Sequence, residues 1–148
     1  MPNTRDRVPA HTSIRINEQI QRDIAIRVRH YAHHLDEIPE RLHALAREWD
    51  IERAIEANAS VLAFVGVTLA SRDRRWLALP ALVTGFLFQH AIHGRCPPVP
   101  ILRRLGFRTS YEIEQERQAL KALRGDFENV TTSADRAGEA LRATRPRE

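Results

Sequence analysis

Cysteine, glycine and enzyme motifs are all scarce in this chain. A single cysteine, Cys96, excludes an internal disulfide. No glycine-rich phosphate loop, serine elbow or paired-carboxylate site occurs, so a catalytic reading has no residues to rest on and no enzyme is expected. The sequence also lacks a zinc-ligand set, an aromatic RNA-binding signature and a long basic run, so no nucleic-acid partner is expected, and no cofactor either. The first long apolar run begins only at Ala57, so no cleavable signal peptide is expected. With 148 residues the chain holds one domain, or a small hydrophobic unit with helical extensions, and leaves no room for a second enzyme domain.

Arginine and glutamate are plentiful, and the formal charge of +4 is modest. Two uncharged runs interrupt them, residues 57–71 and 76–94, facing each other across Arg72-Asp73-Arg74-Arg75. Burying both runs in a soluble core would need another large apolar surface, and the remainder offers only narrow stripes. The expectation is therefore an all-α fold: a two-helix hydrophobic, transmembrane hairpin at 57–94, with a long N-terminal amphipathic helix and a C-terminal amphipathic helix. A bilayer core is spanned by about twenty apolar residues. The first run is shorter, and the second is long enough. The eight Leu, Ile, Val and Phe residues of the second run contribute about 4 kcal/mol to insertion, against which Pro80, Gln89, His90 and His93 subtract. Insertion is favoured as a pair, with Arg53 and Arg72 snorkelling and Trp76 anchored at the interface. Arg41, Arg47 and Arg53 before the hairpin, and Arg95, Arg103, Arg104 and Arg108 after it, outnumber Arg72, Arg74 and Arg75. That excess predicts an inner-membrane location with both termini cytoplasmic.

Residues 1–12 carry no periodicity and read as disordered. From 13 to 56 an amphipathic helical segment is expected, kinked near Pro39, because a mid-helix proline removes a hydrogen bond and clashes with the preceding turn. Asp36 is placed to cap the second piece, which should continue unbroken from Glu37 into the first apolar run. Val28, Tyr31, Leu35, Ile38, Leu42, Leu45 and Trp49 recur at steps of three and four, with Ile20 and Ile24 upstream. Such a coiled-coil-like seam predicts self-association into a homo-oligomer. Within the hairpin, Ala59, Ala63, Gly66 and Ala70 share one helix face, and Ala78, Ala81 and Gly85 share another, suiting close helix packing in lipid. Residues 95–108 form a proline-rich interfacial exit that includes a short helical turn ending at Gly106. In 109–127 a helix opens with a Thr109/Glu112 capping box, carries the stripe Ile113, Leu120, Leu123 and Phe127, and closes at Gly125. Residues 128–148 read as a loosely ordered tail with a short helix after Ser133.

The exit Gly94-Arg95-Cys96-Pro97, together with Arg103-Arg104-Leu105-Gly106-Phe107-Arg108-Thr109 and the stretch from Ala119 to Phe127, resembles the YgaP-like inner-membrane family over roughly residues 50 to 127. That resemblance implies a membrane hairpin, often associated with a rhodanese domain and otherwise a domain of unknown function, and dimerisation through the hairpin. No rhodanese is present here, so a separate rhodanese-type protein becomes the implied partner for any sulfur transfer.

His90, His93 and Cys96 follow at intervals of three and are candidate weak ligands for a soft metal, although a fourth ligand is lacking and structural histidines are the plainer reading. Cys96 is also a candidate reactive thiol, since Arg95 would favour its thiolate; the plainer reading is a small apolar residue at a bend. His30, His33 and His34 share one turn and read as a solvated face. The expected function is a non-enzymatic, hairpin-anchored scaffold or assembly element. The alternatives are a redox or sulfur-relay accessory using Cys96, and a soluble helical oligomer.

Overall fold

The structure, a computed structural model, describes residues 7–93 and 96–144. All regular structure among them is helical. In chain order the α-helices are α1 (Arg7–Ala10), α2 (Ile14–Ala32), α3 (Ile38–Arg47), α4 (Ile51–Ala70), α5 (Ala78–His93), α6 (Val99–Arg104), α7 (Ser110–Leu123) and α8 (Arg136–Thr144). Short 3-10 turns lie at Leu35–Glu37, Arg74–Leu77 and Glu128–Val130. The chain divides into two compact units, Met1–Gln21 with Trp49–Tyr111, and Arg22–Glu48 with Glu112–Glu148.

Several expectations are corrected in the N-terminal half. Arg7–Ala10 is helical rather than disordered, and Val8 is buried; residues 1–6 lie outside the described residues. The break near Pro39 is real, but its form differs. α2 stops at Ala32, and α3 begins so that Pro39 falls in its first turn. There the missing N–H has no intrahelical partner to lose. Asp36 sits in the 3-10 turn and does not cap α3. Nor does the helix run on into the apolar segment. Glu48 leaves helical geometry at ψ 132°, and Asp50 caps α4, its carboxylate accepting from the Arg53 N–H at 2.7 Å. The Ile51 N–H donates to the Arg108 carbonyl at 2.8 Å, which secures the new start.

In the first unit, Val8, Ile51, Ile55 and Val99 form the core, with Leu87, Cys96, Leu102 and Phe107 against it. Polar support comes from Arg103, which is buried and donates to Asn17 Oδ1 at 2.9 Å and to the Phe107 carbonyl at 3.3 Å. Asn17 in turn donates to the Pro9 carbonyl at 2.9 Å, so α1, the start of α2 and α6 are tied by one chain of hydrogen bonds. The proline-rich stretch does not prevent helix formation: Pro98 is the N-cap of α6 and Pro100 lies in its first turn. α6 ends as the sequence predicts. Gly106, at φ 91°, donates to the Arg103 carbonyl and Phe107 donates to the Leu102 carbonyl, a paired closure that needs a left-handed residue. Gly125, at φ 83°, closes α7 in the same way, with bonds to Ala122 and from Asp126 to Lys121.

In the second unit Ile38, Leu45, Ile113 and Leu120 are buried together, with Tyr31 and Leu42 packed on them. This corrects the expected self-association seam: its central residues Ile38, Leu42 and Leu45 are covered by α7 of the same chain, while Leu35 and Trp49 are exposed and Val28 is half-buried. A stripe wants a partner helix, and α7 already supplies one. The tail carries the short helix expected after Ser133, as α8, and is tied down rather than loose: Ala143 is buried, and the Lys121 ammonium donates to the carbonyls of Ala143 (3.1 Å) and Thr144 (2.8 Å) at the end of α8. A cation there complements the unpaired carbonyls of a helix C-terminus.

Candidate functional site

The residues of this chain that stand out from an ordinary helical surface lie on α4, α5 and their connection. α4 turns its small residues to α5. Ala59 and Gly66 are buried and Ala63 and Ala70 half-buried, as the small-residue face predicted. A Cβ at Gly66 would stand 2.5 Å from the Pro80 side chain, so only glycine permits this approach. On α5 the expectation is corrected. Ala78, Ala81 and Gly85 are exposed, and Gly85 has open space around it; the half-buried residues of α5 are Leu79, Pro80, Val83, Leu87, His90 and Ile92. Large groups of α5 fill the notches left by small groups of α4, a complementary fit that needs no small residue on the second helix.

The outer faces of the pair are apolar and uncovered. Phe64 is 74% and Phe88 69% exposed, with Val61, Val67, Leu82 and Phe86 exposed beside them, and no residue of α5 is fully buried. Contiguous apolar surface of this kind marks a contact surface for lipid or protein. Leu35–Ala70 includes a segment long and apolar enough to cross a membrane by length and composition, and only 17% of that segment is buried. A core helix of a soluble domain passes the same length test but is mostly buried.

The connection caps this surface with charge. Asp73 accepts from the Arg75 N–H at 2.9 Å and starts the 3-10 turn Arg74–Leu77, leaving Arg72, Arg74, Arg75 and Trp76 all exposed. At the opposite end of α4, the Arg53 guanidinium lies 4.7 Å over the Trp49 ring. The arginines expected to outnumber this loop are partly withdrawn. Arg41 bonds Glu116, and Arg103 and Arg108 are buried; Arg95 lies outside the described residues. Arg47, Arg53 and Arg104 remain exposed, as do Arg72, Arg74 and Arg75 of the connection.

Beside the base of α5 a cleft of about 370 Å³ is lined by His11, Phe86, Gln89, Cys96, Pro97, Val99 and Pro100. The His11 Nε2–H donates to the His93 carbonyl at 3.0 Å. Burial pushes the Cys96 thiol above its ordinary pKa, away from the thiolate that a sulfur carrier or redox centre needs. Arg95, proposed by the sequence to favour that thiolate, and Gly94 of the exit motif lie outside the described residues. His90, His93 and Cys96 do not assemble a metal site: no group of three or more His, Cys, Asp or Glu residues able to hold an ion occurs among the described residues. His30 and His34 stack at 4.3 Å, and His30 Nε2 lies 3.3 Å from Glu37, on an exposed face.

One constellation escaped the sequence reading. Glu116, fully buried, accepts from Arg27 at 3.0 and 3.1 Å and from Arg41 at 2.8 and 2.9 Å. Its signal was present, because Glu116 falls on the helix face of Ile113 and Leu120, and a lone charge inside an apolar stripe calls for buried partners. The arrangement is structural, a carboxylate whose lone pairs are filled by two guanidiniums.

No protein-family model, curated protein or solved structure matches this chain.

Proposed function

We propose that this chain is a membrane-anchored helical module that acts by position, as a scaffold or assembly element, rather than by covalent chemistry. The observation that carries this reading is the uncovered apolar surface of α4 and α5, bounded at one end by Arg72, Arg74, Arg75 and Trp76. An apolar helix pair with arginine and tryptophan at its margin matches the demands of hydrocarbon and interface together. The resemblance to YgaP-like inner-membrane hairpins points the same way. Self-association in this reading moves from the N-terminal seam to the hairpin, where Ala81 and Gly85 leave a shallow open face on α5 for a second copy.

The test is fractionation of cells expressing the full chain, followed by carbonate washing and purification with and without detergent. Retention in the washed membrane and a need for detergent are expected. A protein that is released by carbonate and stays monodisperse in plain buffer overturns the reading. Within detergent, Gly85→Leu should reduce cross-linked dimer while leaving membrane retention unchanged.

One observation favours a second reading. The 16 residues of α5 make a rod of about 24 Å, less than the roughly 30 Å of a bilayer core. A soluble oligomer that buries several hairpins against one another would need no particular length, and its mark is a discrete assembly in buffer without detergent.

A further inference from the structure

The geometry points to the α4–α5 connection as a site for anionic phospholipid headgroups, recognised by the guanidiniums of Arg72, Arg74 and Arg75 beside the Trp76 ring. This inference rests on the membrane reading above and names the lipid chemistry that the hairpin would select. Three arginines stand within four consecutive residues, all exposed, and their side chains form no ion pair among the described residues. The one acid among them, Asp73, has an oxygen bonded to the Arg75 backbone N–H, a role that fixes the turn. The positive charge is therefore presented outward by a structured turn of known cap, at the margin of an apolar surface that includes exposed Trp76 and Leu77.

Guanidinium forks match phosphate oxygens in geometry and charge, and an indole ring is favoured at headgroup depth. The two halves of a phospholipid thus meet matching groups, phosphate at the arginines and acyl chain along α4 and α5. The exposed Arg47, Arg53 and Arg104 stand singly, without this clustering of three. Arg103 and Arg108 are buried, Arg27 and Arg41 are held by Glu116, and Arg53 lies over Trp49. An anionic lipid is favoured over a nucleic acid because the charge is contiguous with exposed aliphatic side chains, Leu77, Leu82, Val61 and Val67, whereas a nucleic-acid groove sets its charge among aromatic faces on which bases stack.

The experiment is co-flotation of the detergent-purified full chain, diluted below the critical micelle concentration and cleared of aggregate, with phosphatidylcholine vesicles, and with vesicles of phosphatidylcholine mixed with phosphatidylglycerol. Trp49→Phe leaves Trp76 as the fluorescent reporter. Tighter binding and a larger blue shift are expected on the anionic vesicles, weakening as salt is raised. Replacing Arg72, Arg74 and Arg75 with Gln should remove that preference, lowering affinity for anionic vesicles on the order of a hundredfold, since each basic residue near a charged surface contributes about fivefold. Replacing all three with Lys should retain most of it, and unchanged far-UV circular dichroism shows that both variants fold. Equal flotation with both vesicle types, indifferent to the Gln variant, overturns the headgroup site and leaves the membrane reading standing. Failure to float with either overturns both. Displacement from anionic vesicles by a short RNA at lower concentration than the lipid overturns it in favour of nucleic acid.

Discussion

The α4–α5 pair and the unit formed by Arg22–Glu48 and Glu112–Glu148 place charge in opposite positions. In the second unit charge is inside: Glu116 is fully buried between Arg27 and Arg41, Asp126 is bonded to Arg124 at 2.6 and 2.8 Å, and Lys121 is buried against two helix-end carbonyls. In the helix pair, Phe64, Phe88 and Leu82 are outside, and charge is confined to the ends. Burying a charge in a small domain is tolerable only with complete pairing, and the second unit meets that demand within itself. An apolar patch that gathers several large side chains marks a contact surface. One region pairs its buried charges within itself, and the other leaves an apolar surface uncovered.

Five substitutions sharpen or break that contrast, from the largest expected effect to the smallest. Glu116→Ala leaves two guanidiniums facing a void and should destabilise the second unit by about 3 kcal/mol, read by urea unfolding with circular dichroism. A change below about 1 kcal/mol would mean that Arg27 and Arg41 simply turn out to solvent, and that the buried pairing is not what completes this unit. Gly66→Ala drives a methyl to 2.5 Å from Pro80 and should cost about 2 kcal/mol in the thermal unfolding of the solubilised protein. Asp50→Ala removes the cap of α4, at about 1 kcal/mol in the same measurement. Gly85→Ala has nothing within 4 Å to meet and should stabilise α5 by about 0.5–1 kcal/mol. If it destabilises as Gly66→Ala does, α5 packs on α4 through the small face that the sequence proposed.

The smallest effect is a slope with pH. Burial lowers the Lys121 pKa beneath its ordinary 10.5, partly offset by Asp126 and Glu114. The unfolded chain then keeps this proton to higher pH than the native one, so native stability rises as pH climbs from the lowered value to 10.5. Lys121→Met should lose that rise, seen as a flatter dependence of melting temperature over the alkaline range, together with the bonds that hold the end of α8.

How much of this was legible in the sequence follows from the range over which each signal acts. The longer helices, the closures at Gly106 and Gly125, the turn Arg72-Asp73-Arg74-Arg75 and the small-residue face of α4 depend on a few adjacent residues, and local pattern reports them, whereas α1 has no periodicity to announce it. The break at Glu48 to Asp50 carries no glycine or proline, so only the cap residue Asp50 marks it in the sequence. The stripe from Tyr31 to Leu45 reads in the sequence as a surface in need of a partner, and α7 of the same chain covers its centre. Periodicity gives the existence of a partner and not its address.

By itself, then, the sequence determined an all-helical chain with two uncharged runs set apart by an arginine turn, since helix propensity, capping and hydropathy act over one or two turns. Tertiary structure alone decided that α7 occupies the N-terminal seam, that Leu79, Pro80, Val83 and Leu87 rather than Ala78, Ala81 and Gly85 meet α4, and that Glu116 gathers Arg27 and Arg41 from 89 and 75 residues away. Those outcomes depend on which surfaces exclude each other from water when the chain closes on itself, and that competition among distant residues leaves no mark in any short window of sequence.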